Sequence, residues 1–336
     1  MKKAKAYQLE PEALGEPISP ARVVEADLQA AEVKLSALLD SNEPIIAEIC
    51  HYLIDAGGKR LRPTFILLVY RACGGTDAKV EDAIDAAIAL ELIHSATLLH
   101  DDIIDTGMLR RGKPSAFARY GASGTLIAGD YLFCRAFELC GRFEERLVRT
   151  AAQACIQLTE GEVMEGRFRH SAAANFNDYI TVITRKTASL FSAGGRVASD
   201  LAGASKQTIE SMWNLGNAVG RAFQMVDDIL DIIGPEEKIG KPVGSDLRAG
   251  IPSLPVVLGM TRNPEVRRLF ENDGRMDGPK LEHALNLLRA PDLIAEARAM
   301  AAEQVKIARG LLAELSPSEY RDSLTVLIED QIDREV

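Results

Sequence analysis

Two groups of aspartates repeat one spacing. Asp101, Asp102 and Asp105 lie in LLHDDIID, and Asp227, Asp228 and Asp231 lie in FQMVDDILD. Each group follows a long apolar run of helical period. Residues four apart share one helix face, so Asp101 aligns with Asp105 and Asp227 with Asp231. Like charges at that spacing weaken a helix by about 0.2–0.5 kcal/mol per pair, so something should compensate them. A single acidic cluster reads equally well as a solvated face. Two clusters of identical spacing, each interleaved with Ile and Leu, predict carboxylates turned into a shared cleft. Magnesium is held by a few carboxylates, water and substrate phosphates, so the expected contents are Mg2+ ions with a diphosphate between them. A calcium EF-hand loop is excluded, because its Gly and terminal Glu are absent.

The basic residues fit the same chemistry. In GGKRLRP, Gly57-Gly58 precede Lys59, Arg60 and Arg62, and Pro63 marks a helix restart. A helix start flanked by Lys and Arg suits a diphosphate. Arg110-Arg111 follows the first aspartates and reads either as their salt-bridge partner or as a pair aimed at two phosphates. His94 lies two helical turns before Asp101, on roughly the same face. Lys186-Thr187 sits in a helical run, and Lys241 sits in the Gly/Pro-rich stretch after the second cluster, where a loop could close over a site. The net charge of −10 argues against a nucleic-acid scaffold, which would normally show a basic surplus. It also means that any anion site depends on a local basic cluster or on bound metal.

These residues need a rigid frame, and the sequence predicts helices. The chain has 336 residues, 47% hydrophobic but only 5% aromatic, and is rich in Ala and Leu. Helical spacing starts at Ser19-Pro20 and Arg22 and recurs at 83–100, 151–168, 179–197, 209–233, 279–288, 292–315 and 324–333. The best strand candidate is 65–70, which also reads as buried helix. Dense Gly and Pro after Ile233 predict a loop. No repeat or linker divides the chain. The expectation is an all-α, single-domain helical bundle around a central cavity, over residues 21–336, with residues 1–20 as a flexible arm. Five cysteines without CxxC spacing argue against disulfides or zinc. The N-terminus lacks a secretory pattern and no long uncharged apolar stretch predicts a transmembrane helix, so a cytoplasmic protein is expected.

Together the motifs resemble the all-trans polyprenyl diphosphate synthases, over about residues 42–260. They are GGKRLRP, ELIHSATLLHDDIID with RRGKP, GDYLF, KT at 186–187, FQMVDDILD and GKPVGSDL. The resemblance implies the isoprenoid synthase fold, usually homodimeric, and Mg-dependent condensation of isopentenyl diphosphate onto an allylic diphosphate. It implies that all six aspartates bind the magnesium cluster, some through water, and that Asp101 and Asp227 are also catalytic. Arg110, Lys186 and Lys241 would hold the allylic diphosphate. Lys59, Arg62, His94 and Arg111 would hold isopentenyl diphosphate. Thr187 and Gln224 would stabilise the developing cation. One departure stands out: Ile251 replaces a lysine common in the family, with Arg248 as a possible substitute.

The same resemblance makes Ala96, five residues before the first aspartate, a determinant of product length. Ala96 and Thr97 are small and would let a tail pass along the helix toward Ile93 and Ala89. The resemblance, strongest to bacterial long-chain members, implies a quinone-type side chain of about eight to ten isoprene units, whereas a bulky aromatic at position 96 would stop the chain early because a filled core resists further insertion. The alternatives are a shorter-chain synthase, a terpene cyclase, or a non-catalytic subunit of a heteromeric synthase. A cyclase would lack the second aspartate cluster and the isopentenyl-side Lys59 and Arg62.

Overall fold

The computed structural model describes residues 19–234, 243–271 and 276–330. Most of the expected N-terminal arm, Lys241 and the end of the last expected helix lie outside them. The described residues are almost entirely helical, as the composition predicts. A short 3-10 turn, Pro20–Val24, leads into α1 Glu25–Leu38, α2 Pro44–Ile54, α3 Leu61–Ala72 and α4 Val80–Ile104. A two-residue hairpin, β1 Leu109–Arg110 and β2 Lys113–Pro114, precedes α5 Ala116–Cys140, α6 Glu145–Phe168 and α7 Phe176–Ile183. A π turn, Thr184–Ala188, joins α7 to α8 Ser189–Leu201, and α9 Lys206–Ile233 follows. Then come α10 Ser245–Arg248, α11 Leu254–Arg262, α12 Pro264–Glu271, α13 Gly278–Leu288, α14 Pro291–Leu312 and α15 Glu319–Glu329.

The chain forms two compact units. The first takes in Met1–Ala152, Ala193–Trp213 and Leu311–Leu327; the second takes in Gln153–Ser192, Asn214–Gly310 and Ile328–Val336. In the first, α4 packs on α5, α3 and α1, and α2 packs on α5. The strand candidate is helical: residues Pro63 to Tyr70 of α3 are all buried. Burial on every side removes the one-face periodicity that would have marked a helix. α4 is apolar and long enough to cross a membrane, but 83% of its apolar window is buried inside the chain, as in a core helix.

α5 has no counterpart among the helices predicted above. Its N-terminal turn is capped by Ser115, whose Oγ accepts from Ala118 N, and the helix is broken at Gly121, φ 74. Gly124 and Gly129 further dilute its apolar period. A Cβ at Gly129 would lie 2.3 Å from the His100 ring, which would have to move to admit it.

In the second unit, α7, α9, α11, α13 and α14 enclose a core that includes Ile232, Leu254, Val256, Leu288 and Ala297. α9 reaches the chain around the π turn through Gly216 and Gly220. A Cβ at Gly216 would stand 2.3 Å from the Phe191 carbonyl oxygen, and one at Gly220 2.4 Å from Ala188 Cα. Both obstacles are backbone and cannot rotate away. Gly216→Ala is therefore expected to cost about 1–3 kcal/mol in urea unfolding, the usual scale of overpacking. An unchanged midpoint would show that the helices separate freely.

Candidate active site

The first aspartates end α4, and their roles divide by burial. Asp102 is buried: one carboxylate oxygen accepts from Arg110 Nε at 2.7 Å and the other from Ala116 N at 3.3 Å. It ties α4 to the hairpin and to the start of α5. Burial raises the Asp102 pKa, and the Arg110 guanidinium pulls it back down. Asp101 is half-buried and Asp105 is exposed. Asp105 is the C-cap of α4, and its N–H still reaches Asp101 O at 2.9 Å, so the two carboxylates stay one turn apart.

Basic side chains gather behind this helix end. Arg111 and Gly112 turn the hairpin with φ 52 and 72, the left-handed pair that a two-residue turn favours. Arg60, also left-handed at φ 47, is the N-cap residue of α3. Its guanidinium donates to Glu32 at 2.5 and 3.2 Å and approaches Glu91 at 3.6 Å. The Arg111 and Arg60 guanidiniums converge on Gly58, where a Cβ would be 3.3 Å from each. His94 feels burial first and then Arg62, Arg110, Arg111 and Arg60, which hold its pKa well below the ordinary 6.5. Arg62, Arg110 and Arg111 thus all act electrostatically on His94. Lys59 is exposed on the adjoining turn. The sequence reading did not single out Glu32 or Glu91, which neutralise Arg60.

The pH consequence has a definite sign. Native His94 stays neutral where an unfolded histidine takes up a proton, so the unfolded chain binds more protons in acid. Its contribution is fully present above the ordinary 6.5 and is lost as pH falls below it, by up to about 1.4 kcal/mol per pH unit. Urea melts from neutral pH to about pH 5 should show wild type losing stability faster than His94→Gln. Parallel curves would contradict a histidine held neutral in the fold.

The second aspartates lie in the other unit, near the end of α9. Asp228 is buried and accepts from three donors: Tyr179 Oη at 2.8 Å, Gln224 Nε2 at 2.8 Å and Leu254 N at 3.0 Å. Burial and the neighbouring Asp246 carboxylate push its pKa up to about 7. Gln224 also accepts from Thr187 Oγ1 at 2.8 Å. The chain Thr187–Gln224–Asp228–Tyr179 therefore joins the π turn, α9 and α7. Asp231 is fully buried and accepts from Ser245 Oγ at 2.6 Å and Asp246 N at 3.1 Å, which anchors the start of α10. Asp227 is half-buried. Asp102, Asp228 and Asp231 each accept from protein donors.

Lys186 projects from the π turn, with Nζ 2.6 Å from Glu165 and 2.7 Å from Glu162. Ile251 is half-buried, and its N–H donates to Asp246 O at 2.8 Å. Arg248 donates to Val243 O at 3.0 Å. On α4, Ala96 and Ile93 are fully buried, and Thr97 caps back onto His94 O at 2.8 Å. Two turns before Ala96, about 10 Å along the axis, Ala86, Ala89 and Leu90 line an apolar pocket with Phe143, Leu147 and Val197.

A polyprenyl synthetase family model matches residues 43–288. The chain belongs to the polyprenyl synthetase family. Among curated relatives, the nonaprenyl diphosphate synthase of Mycobacterium tuberculosis is 34% identical over 319 residues, 93% of this chain and 95% of its own. A short chain isoprenyl diphosphate synthase of Methanothermobacter thermautotrophicus is 33% identical over 306 residues, 89% and 93% of the two chains. A polyprenyl synthase from Caulobacter crescentus, solved with calcium and isoprenyl diphosphate, shares 31% identity and superposes with a TM-score of 0.90 over 97% of this chain and 100% of its own. Like the rest of the polyprenyl synthetase family, this chain has the all-α isoprenoid synthase fold and is a prenyltransferase.

Proposed function

We propose that the chain is an all-trans polyprenyl diphosphate synthase that adds isopentenyl diphosphate head-to-tail to an allylic diphosphate and makes a long product, about eight to ten isoprene units, for quinone side chains. The observation that carries the reading is the division within the two aspartate clusters. In each, the middle carboxylate is sunk into protein hydrogen bonds, while Asp101, Asp105 and Asp227 keep access to solvent.

In each cluster the solvent-accessible carboxylates suit Mg2+, a hard cation that prefers oxygen ligands. Among the described residues no three His, Cys, Asp or Glu side chains close on one point, so water and substrate phosphate would complete the shell. Calcium in the Caulobacter relative supports a divalent ion here. Bound magnesium would neutralise the charge that develops on departing pyrophosphate.

The chain's own residues do the rest. Lys59, Arg62, His94 and Arg111 hold isopentenyl diphosphate. Arg110, Lys186 and Lys241 hold the allylic diphosphate, whose C–O bond breaks with the electron pair leaving on pyrophosphate. The double bond of isopentenyl diphosphate attacks the allylic cation, and the pyrophosphate takes the proton then released. Thr187 donates its hydroxyl hydrogen bond to Gln224, so its oxygen presents an acceptor dipole to positive charge. A dry site would keep water from quenching the cation. Residues 21–336 serve this one activity as a cytoplasmic homodimer, and exposed Leu126, Ile127 and Phe137 on α5 support a partner copy.

A shorter product is the second reading, favoured by the short-chain relative of almost equal identity. Ala96 and the pocket further along α4 favour the longer one. Pyrophosphate release should require isopentenyl diphosphate, an allylic primer and magnesium together. Release from an allylic diphosphate alone, with hydrocarbon formed, would mean a cyclase. Activity only after adding a second subunit would mean a heteromeric synthase.

A further inference from the structure

The ammonium of Lys186 is gripped by two carboxylates of one helix. Glu162 and Glu165 are three residues apart on α6 and so share a face. Their oxygens stand 2.7 and 2.6 Å from Nζ, and the Glu162, Glu165 and Lys186 side chains are only 15%, 11% and 23% exposed. Burial raises the Glu165 pKa, and Lys186 pulls it back down.

The backbone fixes this arrangement. A Cβ on Gly161 would lie 2.6 Å from Lys186 N, so α6 meets the π turn in direct contact. The extra residue in a π turn re-aims the side chains that follow. Desolvating two carboxylates around one ammonium is a poor way to gain stability, because burial opposes the ion-pair attraction. It is a good way to fix a flexible lysine, which is otherwise a point charge on a four-carbon stem.

We infer that Glu162 and Glu165 are positioning residues that set the Lys186 ammonium for the allylic diphosphate. The inference rests on the proposed function for Lys186's role. Neither glutamate contacts substrate; each acts through Lys186.

A double-mutant cycle on the full chain tests it. Glu165→Gln should lower kcat/KM for farnesyl diphosphate about tenfold, the scale of one charge-assisted hydrogen bond. It should leave KM for isopentenyl diphosphate unchanged, and Glu165→Asp should recover part of the loss. In a Lys186→Ala background the same Glu165→Gln change should cost less than about twofold. Additive losses, no loss in the wild-type background, or an equal loss toward isopentenyl diphosphate would overturn the inference. If Glu165→Gln does not fold by circular dichroism, Glu162→Gln carries the same cycle. The cycle is repeated on binding of farnesyl thiolodiphosphate, an unreactive analogue. A wild-type chain that binds this analogue but condenses nothing refutes the proposed function, while the binding cycle still decides the clamp.

Discussion

Asp228→Ala is expected to be the most damaging single change in the second cluster, and more through its partners than through lost metal. The carboxylate satisfies Tyr179 Oη, Leu254 N and Gln224 Nε2 at once. Removing it strands a buried phenol and a buried backbone N–H. Each costs about 1–3 kcal/mol, and the loss should resemble breaking a buried ion pair, about 3–5 kcal/mol. Gln224 then keeps only its bond from Thr187. Misplacing such a pair lowers kcat by about a hundredfold. Asp228→Asn should be damaging too, since its amide brings N–H groups to a site already filled with donors. Urea unfolding beside kcat measures both effects. A stable Asp228→Ala variant that lost only magnesium affinity would show that this carboxylate serves the metal alone.

Ala96→Phe is expected to shorten the product to twenty carbons or fewer while condensation continues. Ala96 is fully buried, and Ile93 and Ala89 follow on the same stripe of α4 toward the apolar pocket. A phenyl ring at Ala96 has no solvent to escape into, so it must occupy space that a growing tail would use. Overpacking should lower stability by about 1–3 kcal/mol. The first condensation should keep its rate, because the diphosphate-binding residues are untouched. Product sizing with a melting curve reads both consequences. An unchanged product distribution from a folded variant would remove Ala96 from chain-length control.

The sequence makes the aspartate spacing visible but not the division of labour within it. Asp101 and Asp102 are neighbours in the same run. Only the hairpin and the start of α5, which turn Arg110 and Ala116 N toward Asp102, decide which one is buried. Asp231 likewise owes its role to Ser245, fourteen residues away. The long helices were legible because their apolar residues recur on one face. α5 was not, because Gly121, Gly124 and Gly129 interrupt its period, and α3 was ambiguous because it is buried all round. The π turn leaves no composition signal, yet it places Lys186 beside Glu162 and Glu165. Those two glutamates were readable as an i, i+3 pair on α6, but nothing in their spacing pointed to Lys186.

Ile251 stands where the resemblance implied a lysine. Its N–H serves Asp246, and its half-buried side chain supplies no charge. Lys186 and Arg110 are therefore the described cations proposed for the allylic diphosphate, which raises the importance of whatever fixes them. Asp102 fixes Arg110, and the paired glutamates fix Lys186.

The most direct test of the central claim is product sizing. The purified chain is incubated with magnesium, farnesyl diphosphate and labelled isopentenyl diphosphate, and the dephosphorylated products are separated by chain length. Label in polyprenols of about eight to ten isoprene units is predicted, since Ala96 and Ala89 put no bulky plug on the stripe of α4 before Asp101. Label ending at fifteen or twenty carbons would contradict the long-chain assignment, and no incorporation of isopentenyl diphosphate would contradict the synthase itself.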